Sequence, residues 1–299
     1  MKKELAIVLG ATGNITFGLA NVLMGLKKNN IKIPHEIIVF EQNISARDKK
    51  LLNQIIPISF IEYKYPTTGE IHSKSTCDRF TQMTFSRYEC LTLLNEYKKV
   101  LWLDVDLLIK GNLTPLVADF NSQIGLWQTK QPLRINFTKN IDDYNMESCF
   151  YNAGVIIFND TLTNYKDIRE WCYKKTNELS EYLYCGDQGI INILLEEFNL
   201  NILNIDEKYN CHPRSKKSST ASILHPYCAE KFWNFYNNKE WNQNYQEWIK
   251  IGGTPYSGSK VGIFERFIKT KYPEVPNPLK YPRNFINYFK TQKYKDFDF

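Results

Sequence analysis

Apolar runs and amphipathic stretches alternate along the first hundred positions. Leu5–Gly10 is a continuous apolar run, the mark of a strand buried on both faces. After a glycine-containing turn, Phe17, Ala20, Leu23 and Met24 fall near helical spacing, which predicts a helix over Thr16–Lys28 packed on a sheet. Glu36–Phe40 predicts a second strand. Ser45, followed three positions later by Asp48, predicts a capping-box start for a helix through Ile55. Ile58–Glu62 then predicts a third strand, and a helix over Ser86–Asn95 leads into a strand at Val100–Leu103. Strands and helices in this order, with short connections, predict an α/β fold with a mostly parallel central sheet flanked by helices.

The pattern is less regular beyond that point. Gly125–Trp127 and Gly154–Phe158 predict strands, and Tyr165–Leu179 and Asp187–Glu197 predict helices. Trp241, Tyr245, Trp248 and Ile249 fall on one helical face and predict a further helix. The Gly/Ser/Pro stretch Gly252–Gly262 then interrupts the pattern and reads as a linker. The expected organisation is therefore a domain over 1–251, a linker over 252–265 and a C-terminal tail over 266–299. Between Arg266 and Phe299 eight basic residues face three acidic ones, so this segment holds most of the chain's net charge of +6, interleaved with nine aromatics. Such a tail is expected to face an anionic membrane or the acceptor.

Composition narrows the class. A chain of 299 residues that is 43% hydrophobic and 23% charged is neither disordered, collagen-like nor a pure coiled coil. No stretch reaches the ~18–20 apolar residues of a membrane-spanning helix. The opening MKKELAIVLGATGN reads as a first strand rather than a signal-peptide core, so the expected location is the cytoplasm, at the inner face of the membrane. Seven scattered cysteines without a Cys-x-x-Cys pair argue against a zinc ribbon or a disulfide scaffold and for free thiols.

The candidate chemistry centres on Val100–Ile109, VLWLDVDLLI. Carboxylates inside so apolar a run are costly unless compensated. Asp104 and Asp106, two residues apart on a strand, would crowd like charge on one face. A divalent cation with hard-oxygen ligands would resolve that. The alternative, an ordinary strand end with exposed aspartates, stays open on this motif alone.

Four further motifs follow in order around it. Phe85-Ser86-Arg87-Tyr88 precedes the Asp-Val-Asp segment. Phe150-Tyr151-Asn152-Ala153-Gly154-Val155-Ile156, Asp187-Gln188-Gly189-Ile190-Ile191-Asn192 and His225-x5-Lys231-Phe232-Trp233 come after it. With VLWLDVDLLIKGNLTPL, this series resembles glycosyltransferase family 8, the retaining nucleotide-sugar enzymes that include glycogenin and the bacterial lipopolysaccharide galactosyl- and glucosyltransferases. The resemblance spans Leu5–Trp233.

It implies a GT-A type nucleotide-sugar-binding fold. It also implies a UDP-hexose donor and a glycan or lipid-linked glycan acceptor, with no nucleic acid as partner. Asp104, Asp106 and His225 would be ligands of Mn²⁺ or Mg²⁺, imidazole tipping the choice toward Mn²⁺. Lys231 would face the leaving diphosphate. Arg87, Asn152, Asp187 and Gln188 would hold the sugar, with Ala11, Thr12, Asn14, Ile15, Val105 and Ala153 completing the donor site. Gln188 would lie beneath the anomeric carbon as a feeble nucleophile, which favours front-face substitution. Asp187 also reads as a helix N-cap.

The chain departs from the family pattern in the turn after the first strand, where Thr12 replaces an acid and Ile15 an aromatic; Phe17 is the alternative aromatic for the base. Cys228 and Phe232 replace a glycine and a proline near Lys231. Two other functional classes compete. A non-catalytic sugar-nucleotide or glycan-binding relative would lack UDP-sugar hydrolysis, and a nucleic-acid binder built on the basic tail would leave Asp-Val-Asp unexplained.

Overall fold

A computed structural model describes residues 1–66, 81–227 and 229–262. Seven strands form one sheet in the order β3-β2-β1-β4-β7-β6-β8. They are β1 (Lys3–Thr12), β2 (His35–Gln42), β3 (Ser59–Glu62), β4 (Tyr97–Leu103), β6 (Ile124–Pro132), β7 (Cys149–Asn159) and β8 (Ile202–Asn204). A separate antiparallel pair joins β5 (Leu108–Ile109) to β9 (Ile223–Leu224). Among the described strands of this sheet only β7 runs against its neighbours, so the sheet is mostly parallel.

The continuous apolar run of β1 is explained by two cores, one on each sheet face. Leu5, Ile7 and Leu9 enter the first core, while Ala6 and Val8 enter the second. The strand period of two thus sends alternate residues to opposite helical layers. The first core includes residues of helices α1 (Thr16–Asn29) and α2 (Ala46–Ile55). After the short helices α3 (Cys90–Leu93) and α4 (Thr114–Ala118) come α5 (Tyr165–Glu178) and α6 (Asp187–Glu197), which pack into the second core. Helix α7 (Lys239–Lys250) returns to the first, burying Trp241 and Trp248 against it.

Three local expectations change. Ser45 does cap α2, its Oγ accepting from the Asp48 backbone N–H at 3.0 Å, but the Asp48 carboxylate turns to Thr254 at 2.6 Å instead of back to Ser45. The segment predicted as one helix over Ser86–Asn95 is a 3₁₀ stretch, Gln82–Glu89, followed by the single turn of α3. Tighter winding aligns Met83 with Ser86, and both face Gly10, where a Cβ would lie 2.6 Å from Ser86 Oγ. Finally, the Gly252–Gly262 stretch begins by packing onto the domain before its later, mostly exposed residues. Gly253 lies flat against Trp248, and the Tyr256 backbone N–H donates to Tyr245 Oη at 3.0 Å. The tail 266–299 lies outside the described residues.

The chain moves outward from β1 to β2 and β3, then returns to place β4 on the opposite side of β1. The switch point of an open α/β sheet lies where that order reverses, and ligands bind there at the carboxyl ends of the strands. Here those ends are Thr12 of β1 and Leu103 of β4, immediately before the Asp-Val-Asp segment.

Candidate active site

Strand β4 ends at Leu103, so Asp104 and Asp106 occupy a turn between β4 and β5, not a strand face as the spacing predicts. The turn still makes them converge. Its first residue is held by β7, with the Asp104 N–H donating to Gly154 O at 2.9 Å. Its exit is held by the β5–β9 ladder, which pairs Leu108 with Leu224. The residue after Leu224 is His225, so two rungs bring the imidazole back to Asp106 across more than a hundred positions of sequence. Ligand atoms of Asp104, Asp106 and His225 lie within 4.8 Å of one another.

Each carboxylate commits one oxygen to a cation and leaves the other facing His225. Asp104 Oδ1 accepts from Arg87 Nη2 at 3.0 Å and from Trp102 Nε1 at 2.8 Å, while Oδ2 stands 3.9 Å from His225 Nε2. Asp106 Oδ2 accepts from Lys231 Nζ at 2.6 Å. Asp106 Oδ1 is buried and has no hydrogen-bond partner among the described residues, 3.4 Å from His225 Nε2. An orphaned buried carboxylate oxygen is expensive, and here it faces a second free carboxylate oxygen and a ring nitrogen. Two oxygens and one imidazole nitrogen converging in this way fit a divalent cation of the Mn²⁺ or Mg²⁺ class. Burial opposes ionisation of Asp106, but Lys231 and His225 beside it hold its carboxyl well below the ordinary carboxylate range.

Gly154 makes room for the imidazole: a Cβ there would sit 2.1 Å from His225 Cε1. Behind the ring, His225 Nδ1 meets Asn210 Oδ1 at 2.7 Å. Asn210 donates to Asn152 Oδ1 at 2.8 Å, and Asn152 donates to Gln188 Oε1 at 3.1 Å. Gln188 Oε1 also accepts the Ala153 N–H at 3.1 Å, and its Nε2 donates to Asn136 Oδ1 at 2.7 Å. Arg87 spans from this network to the carboxylates. Its Nη1 donates to Ala153 O at 2.7 Å, and its Nε lies 2.9 Å from Asp187 Oδ2 in an ion pair not aligned as a hydrogen bond.

Arg87, Asp104, Asp106, Asn152, Ala153, Asp187, Gln188, His225 and Lys231 are thus brought into one connected cluster. Asp187 is not an N-cap. Gly186, at φ 59°, holds that position, and the Asp187 side chain lies inside the first turn of α6, accepting from Thr84 Oγ1. Burial pushes its carboxyl up to about 6, with Arg87 and Thr84 pulling the other way. Lys231 Nζ also donates to Pro226 O at 2.7 Å.

Ala11 and Thr12 close β1, and Asn14 and Ile15 lie in the single 3₁₀ turn that follows it. Ala11 is buried, and Thr12 Oγ1 donates to Asn14 Oδ1 at 2.5 Å. Val105 reaches the same side: its carbonyl sits 2.7 Å from where a Cβ on Gly18 would lie, so glycine lets the start of α1 seat against the Asp-Val-Asp turn. Phe17 is not available to a base, because it is 1% exposed beneath Trp233, Tyr245 and Tyr256. Phe232 has become a core residue, stacked on Trp241 at 6.2 Å. Cys228 lies outside the described residues. No sequence pattern marks Asn210, Asn136 or Thr84 as polar partners of the site. Only Trp102, next to the Asp pair in the motif, carried a readable signal.

A model of glycosyl transferase family 8 matches residues 6–237. The chain belongs to that family. The family 8 domain is 30% identical over 135 residues to glycosyltransferase GlyE of Streptococcus pneumoniae serotype 4, a match covering 43% of this chain and 28% of GlyE. It is 20% identical over 266 residues to galactinol synthase 2 of Arabidopsis thaliana, covering 80% of this chain and 76% of that one. Its fold is similar to that of the galactosyltransferase LgtC, solved with donor and acceptor sugar analogs. The TM-score is 0.63 at 16% identity, over 82% of this chain and 99% of LgtC. The central, mostly parallel sheet flanked by helices is therefore that of a GT-A glycosyltransferase. Among the described residues, no helix is long and apolar enough to cross a membrane.

Proposed function

We propose that this family 8 glycosyltransferase is a metal-dependent, retaining hexosyltransferase. It moves glucose or galactose from a UDP-sugar to a glycan or lipid-linked glycan acceptor in the synthesis of a bacterial surface glycan such as lipopolysaccharide or capsule. The observation that carries this reading is the pair of uncommitted carboxylate oxygens of Asp104 and Asp106 facing His225 Nε2. A divalent cation held by these three groups would neutralise charge on the donor diphosphate.

The chain's own residues supply the rest. Lys231, already beside Asp106, places a cation where the leaving diphosphate gathers charge. Gln188 positions the sugar rather than attacking it. Its Oε1 accepts two hydrogen bonds from Asn152 and Ala153, and a covalent intermediate on that atom would forfeit both. Asp187 is buried and tied to Thr84 and Arg87, so it is no freer to attack. The reading that fits is front-face substitution. The acceptor oxygen bonds to the anomeric carbon as the bond to the diphosphate oxygen breaks on the same face, and the acceptor proton passes to that departing oxygen. The tail 266–299, with its basic and aromatic side chains, would hold the enzyme at the inner face of the cytoplasmic membrane.

The test is UDP release from UDP-glucose and UDP-galactose with Mn²⁺ or Mg²⁺, followed by NMR of the product. Activity should vanish on chelation and fall at least about 10²-fold in Asp104→Asn and Asp106→Asn, whose shapes are kept while a ligand charge is lost. An α-linked donor should give an α-linked product. Gln188→Ala should slow transfer without abolishing it. A β-linked product, or full activity of both aspartate variants under chelation, overturns the reading.

A further inference from the structure

The buried amides behind His225 form a chain whose direction is fixed by the backbone. The N–H groups of Gly154 and Ala153 can only donate, and they point at Asn152 Oδ1 and Gln188 Oε1, at 3.0 and 3.1 Å. Asn152 therefore presents its NH₂ to Gln188, and the atom of Asn210 that meets Asn152 Oδ1 must itself be the NH₂. What remains for His225 is Asn210 Oδ1, which cannot donate. Nδ1 must carry the proton, and Nε2 keeps its lone pair toward Asp104 and Asp106. Asn210 is fully buried and His225 nearly so, so water cannot take over the amide's part.

We infer that Asn210 is a positioning residue for metal binding: it fixes the tautomer and orientation of His225 so that Nε2 is delivered as a ligand. The inference rests on the proposed reading of Asp104, Asp106 and His225 as the metal site. Groups that orient a ligating histidine through its other nitrogen typically change metal affinity by ~10–100-fold when removed.

The first measurement needs no variant. In ¹⁵N-histidine-labelled protein, metal-free at alkaline pH and again loaded with diamagnetic Cd²⁺, the proton of His225 should reside on Nδ1. A proton on Nε2 overturns the inference. The second is a Mn²⁺ titration by EPR, with folding checked by thermal melting. Asn210→Leu, which removes the acceptor, should bind Mn²⁺ about 10–100-fold more weakly than the parent. Asn210→Asp keeps an acceptor toward Nδ1 but gives up the donor toward Asn152, and should bind within a few-fold of the parent. A residue needed only to hold its surroundings would fail in both variants. Parent-like affinity in a folded Asn210→Leu, or equal loss in both, overturns the inference. His225→Ala separates the two layers of argument. If it binds Mn²⁺ as tightly as the parent, the metal-site reading fails, while the metal-free tautomer still decides what Asn210 does.

Discussion

Gly154 is the smallest residue in β7, and the imidazole of His225 occupies the space a side chain would need. Gly154→Ala should therefore displace His225 and cost about 1–3 kcal/mol of stability, the usual range for overpacking a tight site. Urea unfolding and Mn²⁺ titration on the same sample should show both losses; unchanged metal affinity would mean the ring has another place to go. His212 offers a pH-dependent counterpart away from the carboxylates. Its ring lies 4.8 Å from that of Tyr227, and burial, reinforced by Arg214, lowers its pKa to about 4. The unfolded chain then binds more protons than the folded one between about pH 4 and 6.5, so stability should fall as pH drops through that window. In His212→Gln that contribution disappears, and the difference in melting temperature between parent and variant should shrink from pH 7 to pH 4.5.

At the level of elements, a two-rung ladder does the long-range work. β5 and β9 contribute two residues each, yet their register sets His225 against Asp106. Their stability is borrowed from α1, which lies across β5 with Gly25 against Ile109. α1 in turn is covered by α7, where Asn21 Nδ2 donates to Trp241 O at 3.0 Å. Trp248 anchors α7: it is completely buried, its Nε1 donates to Thr254 O at 2.9 Å, and Gly253 lies against its ring. Trp248→Ala should cost about 3–5 kcal/mol and release the segment beginning at Gly252. Denaturant unfolding measures the first effect and limited proteolysis after α7 the second. A loss below about 1 kcal/mol would show that α7 is held by other contacts.

At the scale of the whole molecule, the site sits at the switch point between β1 and β4, so both cores bear on it from opposite faces of the sheet. The basic, aromatic tail is proposed to work on a different scale, carrying the enzyme to its acceptor. Each cationic side chain near an anionic leaflet contributes on the order of 1 kcal/mol, screened by salt. Removing residues from Tyr281 onward should leave UDP-sugar hydrolysis nearly unchanged while lowering transfer to membrane-bound acceptor. Flotation with anionic liposomes at low salt should separate the two proteins, and equal flotation of the truncated one would give the tail another task.

Legible in the sequence are the runs of β1 to β4, β6 and β7, the long helices to within a residue or two, and the charged residues gathered at the centre, whereas the short strands β8 and β9 leave no pattern. Apolar periodicity and short ordered motifs are local properties, and burial on two faces leaves its mark directly on composition. The helix expected over Tyr165–Leu179 spans Tyr165–Glu178, and the one expected over Asp187–Glu197 has those bounds. Relations between distant segments are not legible in the sequence, because they arise only when the chain folds. These include the 3₁₀ winding of Gln82–Glu89 forced against Gly10, the burial of Phe17 under aromatics from the far end of the domain, and Gly186 rather than Asp187 at the helix start. Asn210 belongs with them. An asparagine in a short turn has no periodicity to betray it, and its part follows only once backbone donors on β7 orient the amides that end at His225.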